Sequence, residues 1–180
     1  MTSQNSGPRY GNEINAWWVL HGETPEKDFL AICNEKLKID AGLNLPRPDN
    51  SFCPALLIDG RAAELKTQVT PFFTAKRYGL DPRWIFTFDR EDYERYRNHC
   101  PDVDIYFWLD WQLLKWNNTD LEYLAGIYRL PFRKIIELIT DVPEHIFRVG
   151  KKPKAKKPKS FFLLDIRQLE LLFQTECRHS

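Results

Sequence analysis

A glutamate and a lysine are separated by one residue in a short segment with the alternation of a β-strand. The segment covers residues 62–68 and reads Ala-Ala-Glu-Leu-Lys-Thr-Gln. Side chains alternate along a strand, so Glu64, Lys66 and Gln68 point to one face and the residues between them to the other. Charges in a central strand are costly to bury unless they are paired or bound to a metal ion. The spacing is therefore typical of a solvated Glu–Lys pair or of a carboxylate–lysine site.

The other reactive side chains form no known catalytic or metal-binding pattern. The four cysteines include no C-x-x-C pair, and the four histidines are equally scattered. We expect Cys33, on a predicted helix face, to be a buried thiol. The eight glycines form neither of the glycine-rich motifs that cradle nucleotide phosphates. The remaining candidates for catalytic or binding chemistry are the carboxylates and the lysines.

The elements that must position this segment follow a mixed α/β order. Thr24 is a suitable N-cap, Pro25 fits the first helical position, and apolar residues at helical spacing predict a helix over about 25–41. Residues 54–59 are then predicted as a strand, Gly60-Arg61 as a tight turn, and residues 62–69 as the hairpin partner. Further strands are expected at 84–88, 103–109, 125–130 and 161–165, and helices at 89–98, 132–140 and after residue 165.

Length and composition favour a single domain. The chain has 180 residues, of which 43% are hydrophobic, enough for one core. We predict a flexible leader at residues 1–11 and one α/β domain at 12–180, with a partly antiparallel sheet. No apolar run approaches the roughly 20 residues of a membrane helix. Since the first residues also lack an apolar signal region, we expect a cytoplasmic protein without membrane contact.

A block of positive charge lies between residues 151 and 159. Its six lysines are Lys151, Lys152, Lys154, Lys156, Lys157 and Lys159. The chain has 26 basic and 25 acidic residues. Without these six lysines, 20 basic and 25 acidic residues remain, which gives a net charge of −5. Like charges interrupted by prolines are typical of a solvated loop. Contact with a phosphate backbone is the other interpretation.

Residues 54–66 resemble the PD-(D/E)XK nuclease superfamily, which has the restriction-endonuclease-like fold. In that family a helix precedes a Pro-Asp pair that opens a strand, and a hairpin leads to a strand bearing (Asp/Glu)-x-Lys. Here the stretch reads Pro-Ala-Leu-Leu-Ile-Asp-Gly-Arg-Ala-Ala-Glu-Leu-Lys, in the same order and spacing. The resemblance extends from about Thr24 to Trp111. It implies a restriction-endonuclease-like mixed β-sheet flanked by helices.

The resemblance also implies an activity and a set of roles. The family hydrolyses phosphodiester bonds of DNA, as endonuclease or exonuclease, with Mg²⁺ or Mn²⁺, and Mg²⁺ prefers oxygen ligands. By resemblance Glu64 is a metal ligand and Lys66 positions or activates the water. Glu26 would supply the additional helix carboxylate of many members, and Gln68 would orient phosphate or water. DNA is the implied partner, and a homodimer or larger nucleoprotein assembly stays open.

The chain departs from the family pattern at one position. Ala55 stands where the family has its first metal-binding aspartate, directly after the proline. Three explanations are open: an engineered inactivating substitution, a natural pseudoenzyme, or replacement by another carboxylate. Asp59, four residues on along the same strand face, is the first candidate for replacement, and Asp49, in its own Pro-Asp pair, is the second.

Two other functional classes compete with the nuclease. One is a catalytically inactive, nuclease-fold DNA-binding or assembly subunit of a mobile element or defence system. The other is a structural interaction module, in which Glu64 and Lys66 are only a surface pair. Convergence of Glu26, Asp59, Glu64 and Lys66 in one cleft would favour the first two classes, and their dispersal would favour the third.

Overall fold

The computed structural model describes residues 25–44, 52, 54–116, 118–139, 145–147 and 159–175. The predicted leader at residues 1–11 lies outside the described residues. So do Asp49 and most of the lysine-rich block, residues 151–158. Lys159 alone of the six lysines falls in a described strand.

A six-stranded sheet forms the centre of the protein, with strand order β1-β2-β3-β5-β8-β11. Its strands are β1 (Ala41–Leu43), β2 (Leu56–Ile58), β3 (Arg61–Gln68), β5 (Asp104–Asp110), β8 (Ala125–Pro131) and β11 (Glu170–Phe173). Only β3 and β5 are parallel, and every other neighbouring pair is antiparallel. A parallel pair requires a long crossover, and here the crossover carries a helix.

In the part of the chain that the structure describes, three α-helices and two smaller sheets accompany the central sheet. The helices are α1 (Pro25–Ile32), α2 (Arg90–His99) and α3 (Phe132–Ile139). A second sheet has the order β4-β10-β9, formed by β4 (Ile85–Asp89), β10 (Lys159–Asp165) and β9 (His145–Phe147). A ribbon joins β6 (Lys115–Trp116) to β7 (Thr119–Asp120), and 3-10 helices cover Phe73–Tyr78 and Ile166–Gln168. In the described ranges, no helix is long and apolar enough to cross a membrane.

The two faces of the central sheet are covered by different elements. On one face, Phe29 of α1 packs against Tyr106 of β5, with ring centroids 5.3 Å apart. On the other face, Phe107 packs against Phe86 of β4, at 4.7 Å between centroids, and α2 lies over the same core. Because alternate side chains of β5 enter opposite cores, this strand is buried on both sides.

The structure confirms the mixed α/β class and corrects two element boundaries. The α-helix ends at Ile32 and continues only as a π-helical turn, Cys33–Leu37. Lys38 then adopts a left-handed conformation with φ 58°, so the helix stops well before Gly42, its predicted end. The hairpin turn is centred on Asp59 and Gly60, with φ 48° and 72°, rather than on Gly60 and Arg61. Positive φ at both central residues is the geometry that matches the twist of a two-residue hairpin.

The predicted final helix is wrong. After β10, the Asp165 side chain accepts a hydrogen bond from the Arg167 backbone N–H and caps a single 3-10 turn. The chain then extends as β11, which pairs antiparallel with β8 along the edge of the sheet. Leu169, Leu172 and Phe173 fit a helical spacing, but the backbone groups of β8 need partners, and a strand supplies them.

Replacing Phe107 with alanine should test how far the β4–β5 contact stabilises the fold. Its side chain is 1% exposed and lies between Phe86 and Phe88. We expect a loss of about 3–5 kcal/mol in the free energy of unfolding, because the deletion leaves a cavity in a packed core. Urea denaturation measures it, with Leu43→Ala, on a side chain 56% exposed, as the control. Equal losses in the two variants would contradict this view of the core.

Candidate functional site

The β2–β3 hairpin places residue 55 beside Glu64. Leu56 pairs with Ala63, and Ile58 pairs with Arg61. Continuing this register by one residue beyond Leu56 places Ala55 opposite Glu64. The Ala55 backbone N–H donates a hydrogen bond of 3.0 Å to Glu64 Oε2. Glu64 is 6% exposed and Ala55 is 5% exposed. The short hairpin therefore holds a buried carboxylate against the residue that follows Pro54.

Helix α2 contributes two residues that complete a charged cluster around Glu64. Asp92 and Arg95 are three residues apart, so they lie on one face of the helix. Lys66 Nζ and Arg95 Nη2 each lie 3.7 Å from Glu64 Oε1. Asp92 holds both cations more closely, with Oδ2 2.6 Å from Lys66 Nζ and Oδ1 2.9 Å from Arg95 Nη2. Two carboxylates and two cations thus balance in charge.

Tyr96 lies beneath this cluster. The Lys66 ammonium is 5.5 Å and the Arg95 guanidinium 4.6 Å from the centre of its ring, within cation–π range. Arg95 Nη2 also donates to the Tyr96 hydroxyl at 2.5 Å. Desolvation by burial, followed by the charges of Glu64 and Asp92, raises the pKa of Tyr96 well above its ordinary value. Tyr96 therefore stays neutral and serves as a packing surface for the two cations.

Gln68 is on the same face as Glu64 and Lys66, but its amide is engaged by neighbouring residues. Its Oε1 accepts hydrogen bonds from the Thr87 N–H and hydroxyl, at 3.1 and 3.2 Å. Its Nε2 donates to the Thr70 carbonyl at 2.7 Å. Gln68 thus ties β3 to β4 of the second sheet.

A cavity of about 190 Å³ opens beside Lys66, Gln68 and Asp92. Apolar residues, among them Phe86 and Phe107, also line this recess. Of the charged cluster, Lys66 and Asp92 line it, whereas Glu64 and Arg95 are not among its lining residues.

The structure does not bring Asp59 and Glu26 to this cluster. Asp59 is exposed in the hairpin turn, where its Oδ1 accepts a hydrogen bond from the Asp40 N–H. Its charge instead acts on Cys33, whose pKa rises to about 11 through desolvation and then through Asp59. Glu26 lies in the first turn of α1, which packs on the opposite face of the sheet from Glu64. The geometry therefore does not support Asp59 as a replacement for the missing aspartate, or Glu26 as an added ligand.

Sequence reasoning missed Asp92, Arg95 and Tyr96. A polar helix was expected over 89–98, but nothing assigned one of its faces to the Glu64 strand. The available signal was the spacing of these three residues, which places an acid, a base and an aromatic ring side by side on a helix. Spacing alone, however, does not reveal which strand that face covers.

The residues present do not fit a Mg²⁺ ion. Glu64 and Asp92 are both next to cations, and residue 55 offers no carboxylate. No group of three or more histidine, cysteine, aspartate or glutamate side chains in the described part of the chain could hold a metal ion. Magnesium needs several oxygen ligands, and around Glu64 the described residues offer only two carboxylates, each already paired with protein cations. Residue 55, directly across from Glu64 in the hairpin, is an alanine and offers no oxygen ligand from its side chain.

Comparison with known proteins adds no family assignment. The chain matches no family model, no curated protein and no solved structure.

The buried hydroxyl of Tyr96 predicts a loss of stability at alkaline pH. Desolvation by burial is the main cause that raises the pKa of Tyr96 well above its ordinary value, and it also raises the pKa of Tyr106, to about 12. The native state keeps protons that the unfolded chain releases above about pH 10, so stability falls as pH rises. We expect Tyr96→Phe to lessen this fall by about 1.4 kcal/mol per pH unit above pH 10.

The measurement is urea denaturation of both proteins at pH 9, 10, 11 and 12. Tyr78→Phe is a suitable control, because Tyr78 is 47% exposed. The same pH dependence in the Tyr96→Phe protein and the parent chain would show that the Tyr96 hydroxyl is not held neutral by the fold.

Proposed function

We propose that this chain is a restriction-endonuclease-like protein acting on DNA, built for metal-dependent phosphodiester hydrolysis, and that Ala55 leaves it deficient in cleavage. The observation that carries the proposal is the hydrogen bond from the Ala55 N–H to Glu64 Oε2. It sets the backbone of the residue after the proline against the glutamate of Glu-x-Lys, while the Ala55 side chain packs in the apolar cluster on the α1 face. An aspartate at 55 would add a second carboxylate next to Glu64.

The order of elements supports the proposal. Helix α1 precedes an antiparallel set of three strands, and the third strand bears Glu64 and Lys66. Helix α2 follows and leads into β5, which lies parallel to β3. The helix, the strand after the proline and the hairpin follow one another in the order that the resemblance implies.

Lys66 and Arg95 supply the means of binding a phosphodiester. Their side chains are 26% and 28% exposed, so both reach solvent. Lys66 lines the recess beside Gln68, and Arg95 lines a separate one on the outer side of α2. An ammonium and a guanidinium form charge-assisted hydrogen bonds with phosphate oxygens. Phosphate contacts position a protein on DNA without selecting a sequence, so these residues support backbone recognition.

A second function is favoured by one observation. Glu64 and Asp92 are balanced by Lys66 and Arg95, so the cluster is already neutral without a metal ion. A neutral cluster of this kind suits a nuclease-fold subunit that binds or assembles on DNA and does not cleave it. The two functions differ in what a carboxylate at position 55 would restore.

Changing Ala55 to aspartate should create Mg²⁺-dependent cleavage of DNA. We expect the cleavage rate to rise about 100-fold or more above that of this chain, which is the usual effect of one active-site group on a rate. Because two buried carboxylates repel each other, the variant should also be less stable without metal and be stabilised by Mg²⁺. Plasmid and linear DNA, with and without chelator, test cleavage, and thermal unfolding tests the metal response.

Leu57→Asp is the matched control, since it adds a carboxylate two residues further along the same hairpin arm, at a position opposite Ala62 rather than Glu64. Adding Glu64→Gln to the Ala55→Asp protein should remove both the cleavage and the Mg²⁺ response. An Ala55→Asp protein that cuts no form of DNA and does not respond to Mg²⁺ would favour the non-catalytic function.

Replacing the six lysines of residues 151–159 with glutamine should weaken the salt dependence of DNA binding. Each lysine that engages a phosphate releases counterions, so the slope of log affinity against log salt should flatten by up to about 5. DNA affinity at several salt concentrations measures the slope, and thermal unfolding should be unchanged.

Three exposed lysines from separate parts of the chain provide the control for this substitution: Lys36, Lys76 and Lys115 changed to glutamine. Identical slopes for the six-lysine variant and the parent would show that the block is only a solvated insert. A large loss of stability would show that the block is part of the packed fold.

A further inference from the structure

We propose that an exposed turn formed by Lys76, Arg77 and Tyr78, the basic–aromatic turn, binds single-stranded DNA. Tyr78 stacks on a base, and the two cations contact phosphates of the strand. The inference rests on the proposed function, because it takes DNA as the partner. It adds an unpaired strand to the class of DNA that the protein recognises, and it involves no metal ion.

The first argument is a row of aromatic rings that leads from the core to the surface at Tyr78. Phe161 of β10 is buried, and its ring contacts that of Phe72 edge-on, with centroids 5.4 Å apart. The Phe72 ring is nearly parallel to that of Tyr78, at 6.4 Å and 10°. Tyr78 is 47% exposed. A nucleobase on Tyr78 would extend this row, because every base has a flat face that stacks on an aromatic side chain.

The second argument is that the backbone fixes the position of the basic–aromatic turn. The turn ends a 3-10 helix whose Phe73 and Ala75 are buried. Gly79 follows in a left-handed conformation, with φ 73°, and its N–H donates to the carbonyls of Ala75 and Lys76. Glycine adopts this conformation without strain. An aromatic side chain on a fixed turn loses little conformational entropy when a base stacks on it.

The third argument is the charge of the turn. Most arginines of the described ranges form an ion pair with a carboxylate, whereas Arg77 and Arg97 have no such partner there. Lys76 also has none within those ranges, and Asp81, the next acidic residue along the chain, pairs with Arg83 at 3.6 Å. An exposed cation without a carboxylate partner can bind a phosphate and release its counterions. Charge complementarity therefore favours a nucleic acid as the occupant.

The fourth argument is the position of the aromatic row relative to the proposed phosphate contacts. Phe161, at the inner end of the row, pairs with Asp89 of β4. Asp89 also lines the recess beside Lys66 and Gln68. The row of rings thus begins next to this recess and ends at the basic–aromatic turn.

The alternative is that the turn only covers the outer face of the second sheet. Phe72 and Ala75 pack there against Ile85 and Leu163. A packing role would change the free energy of unfolding on mutation, but it would not discriminate between single-stranded and duplex DNA. The affinities for the two forms of DNA therefore separate a binding role from a structural one.

The first experiment measures fluorescence anisotropy of a labelled oligothymidylate strand, and of a duplex of the same length, with this chain and a chelator. Tyr78→Ala should lower the affinity for the single strand about 5- to 100-fold, the usual effect of removing one base–aromatic stack. Duplex affinity should not change, because paired bases already stack on one another.

Two further variants separate the ring from its packing. Tyr78→Phe keeps the ring and should bind the single strand like the parent chain. Tyr78→Leu keeps an apolar side chain beside Phe72 but has no ring, so it should bind the single strand weakly. Thermal unfolding of each variant shows that it is folded.

The second experiment measures the salt dependence of binding to the single strand. Arg77→Gln should flatten the slope of log affinity against log salt by about 0.7, the loss of one phosphate contact. Tyr78→Ala should leave the slope unchanged, since stacking releases no counterions. Arg97→Gln is the matched control, because Arg97 is also exposed and has no carboxylate partner in the described ranges.

The lysine of the turn gives a related expectation. In the variant with three exposed lysines changed to glutamine, Lys76 alone belongs to the basic–aromatic turn. That variant should therefore lose about 0.7 of the slope, well below the effect expected of the six-lysine block.

The outcomes separate this proposal from the proposed function. If the parent chain binds neither form of DNA, DNA is not the partner and both proposals fail. If it binds DNA, but Tyr78→Ala leaves the single-strand affinity unchanged or lowers both affinities equally, the role of the turn fails while DNA stands as the partner. Equal slopes for Arg77→Gln and Arg97→Gln would overturn the phosphate contact.

Discussion

The burial of Glu64 in a central strand is the constraint on which this structure depends. Removing a carboxylate from water costs several kcal/mol even after the protein relaxes, so a buried charge needs partners of good geometry. The hairpin gives Glu64 a backbone N–H, and α2 gives it a cation from Arg95 to accompany Lys66. The position of α2 against β3 is therefore set by charge as well as by the apolar core around Tyr96 and Phe88.

The local part of the site could be predicted from the sequence. Alternation along β3 places Glu64, Lys66 and Gln68 on one face, because a strand has a period of two. The proline, the glycine of the turn and the spacing between them place residue 55 near Glu64. These relations extend over one hairpin, where backbone geometry leaves few choices.

The rest of the site depends on contacts that local patterns do not contain. Asp92 and Arg95 belong to a helix whose spacing was clear, but the strand beneath that helix is set by the β3–β5 crossover. Asp59 was the first candidate to replace the aspartate that the family pattern has at position 55, because alternation predicts its face. In the structure it occupies the hairpin turn with φ 48°, and a turn residue no longer follows the alternation of a strand. The prediction of a final helix was wrong for a similar reason, because pairing with the edge of β8 stabilises this segment as strand β11.

The two faces of the sheet have different requirements, and β5 joins them. Its Tyr106 and Trp108 pack against the α1 face, while Ile105, Phe107 and Leu109 fill the core beneath α2. The cluster around Glu64 therefore lies on β3, whose neighbour β5 is packed on both faces. This packing fixes the position of β3 relative to α2. Rigid support of this kind is what a site needs when its groups must stay within tenths of an ångström. The positions of β3 and α2 on this packed sheet place Lys66 Nζ 2.6 Å from Asp92 and 3.7 Å from Glu64.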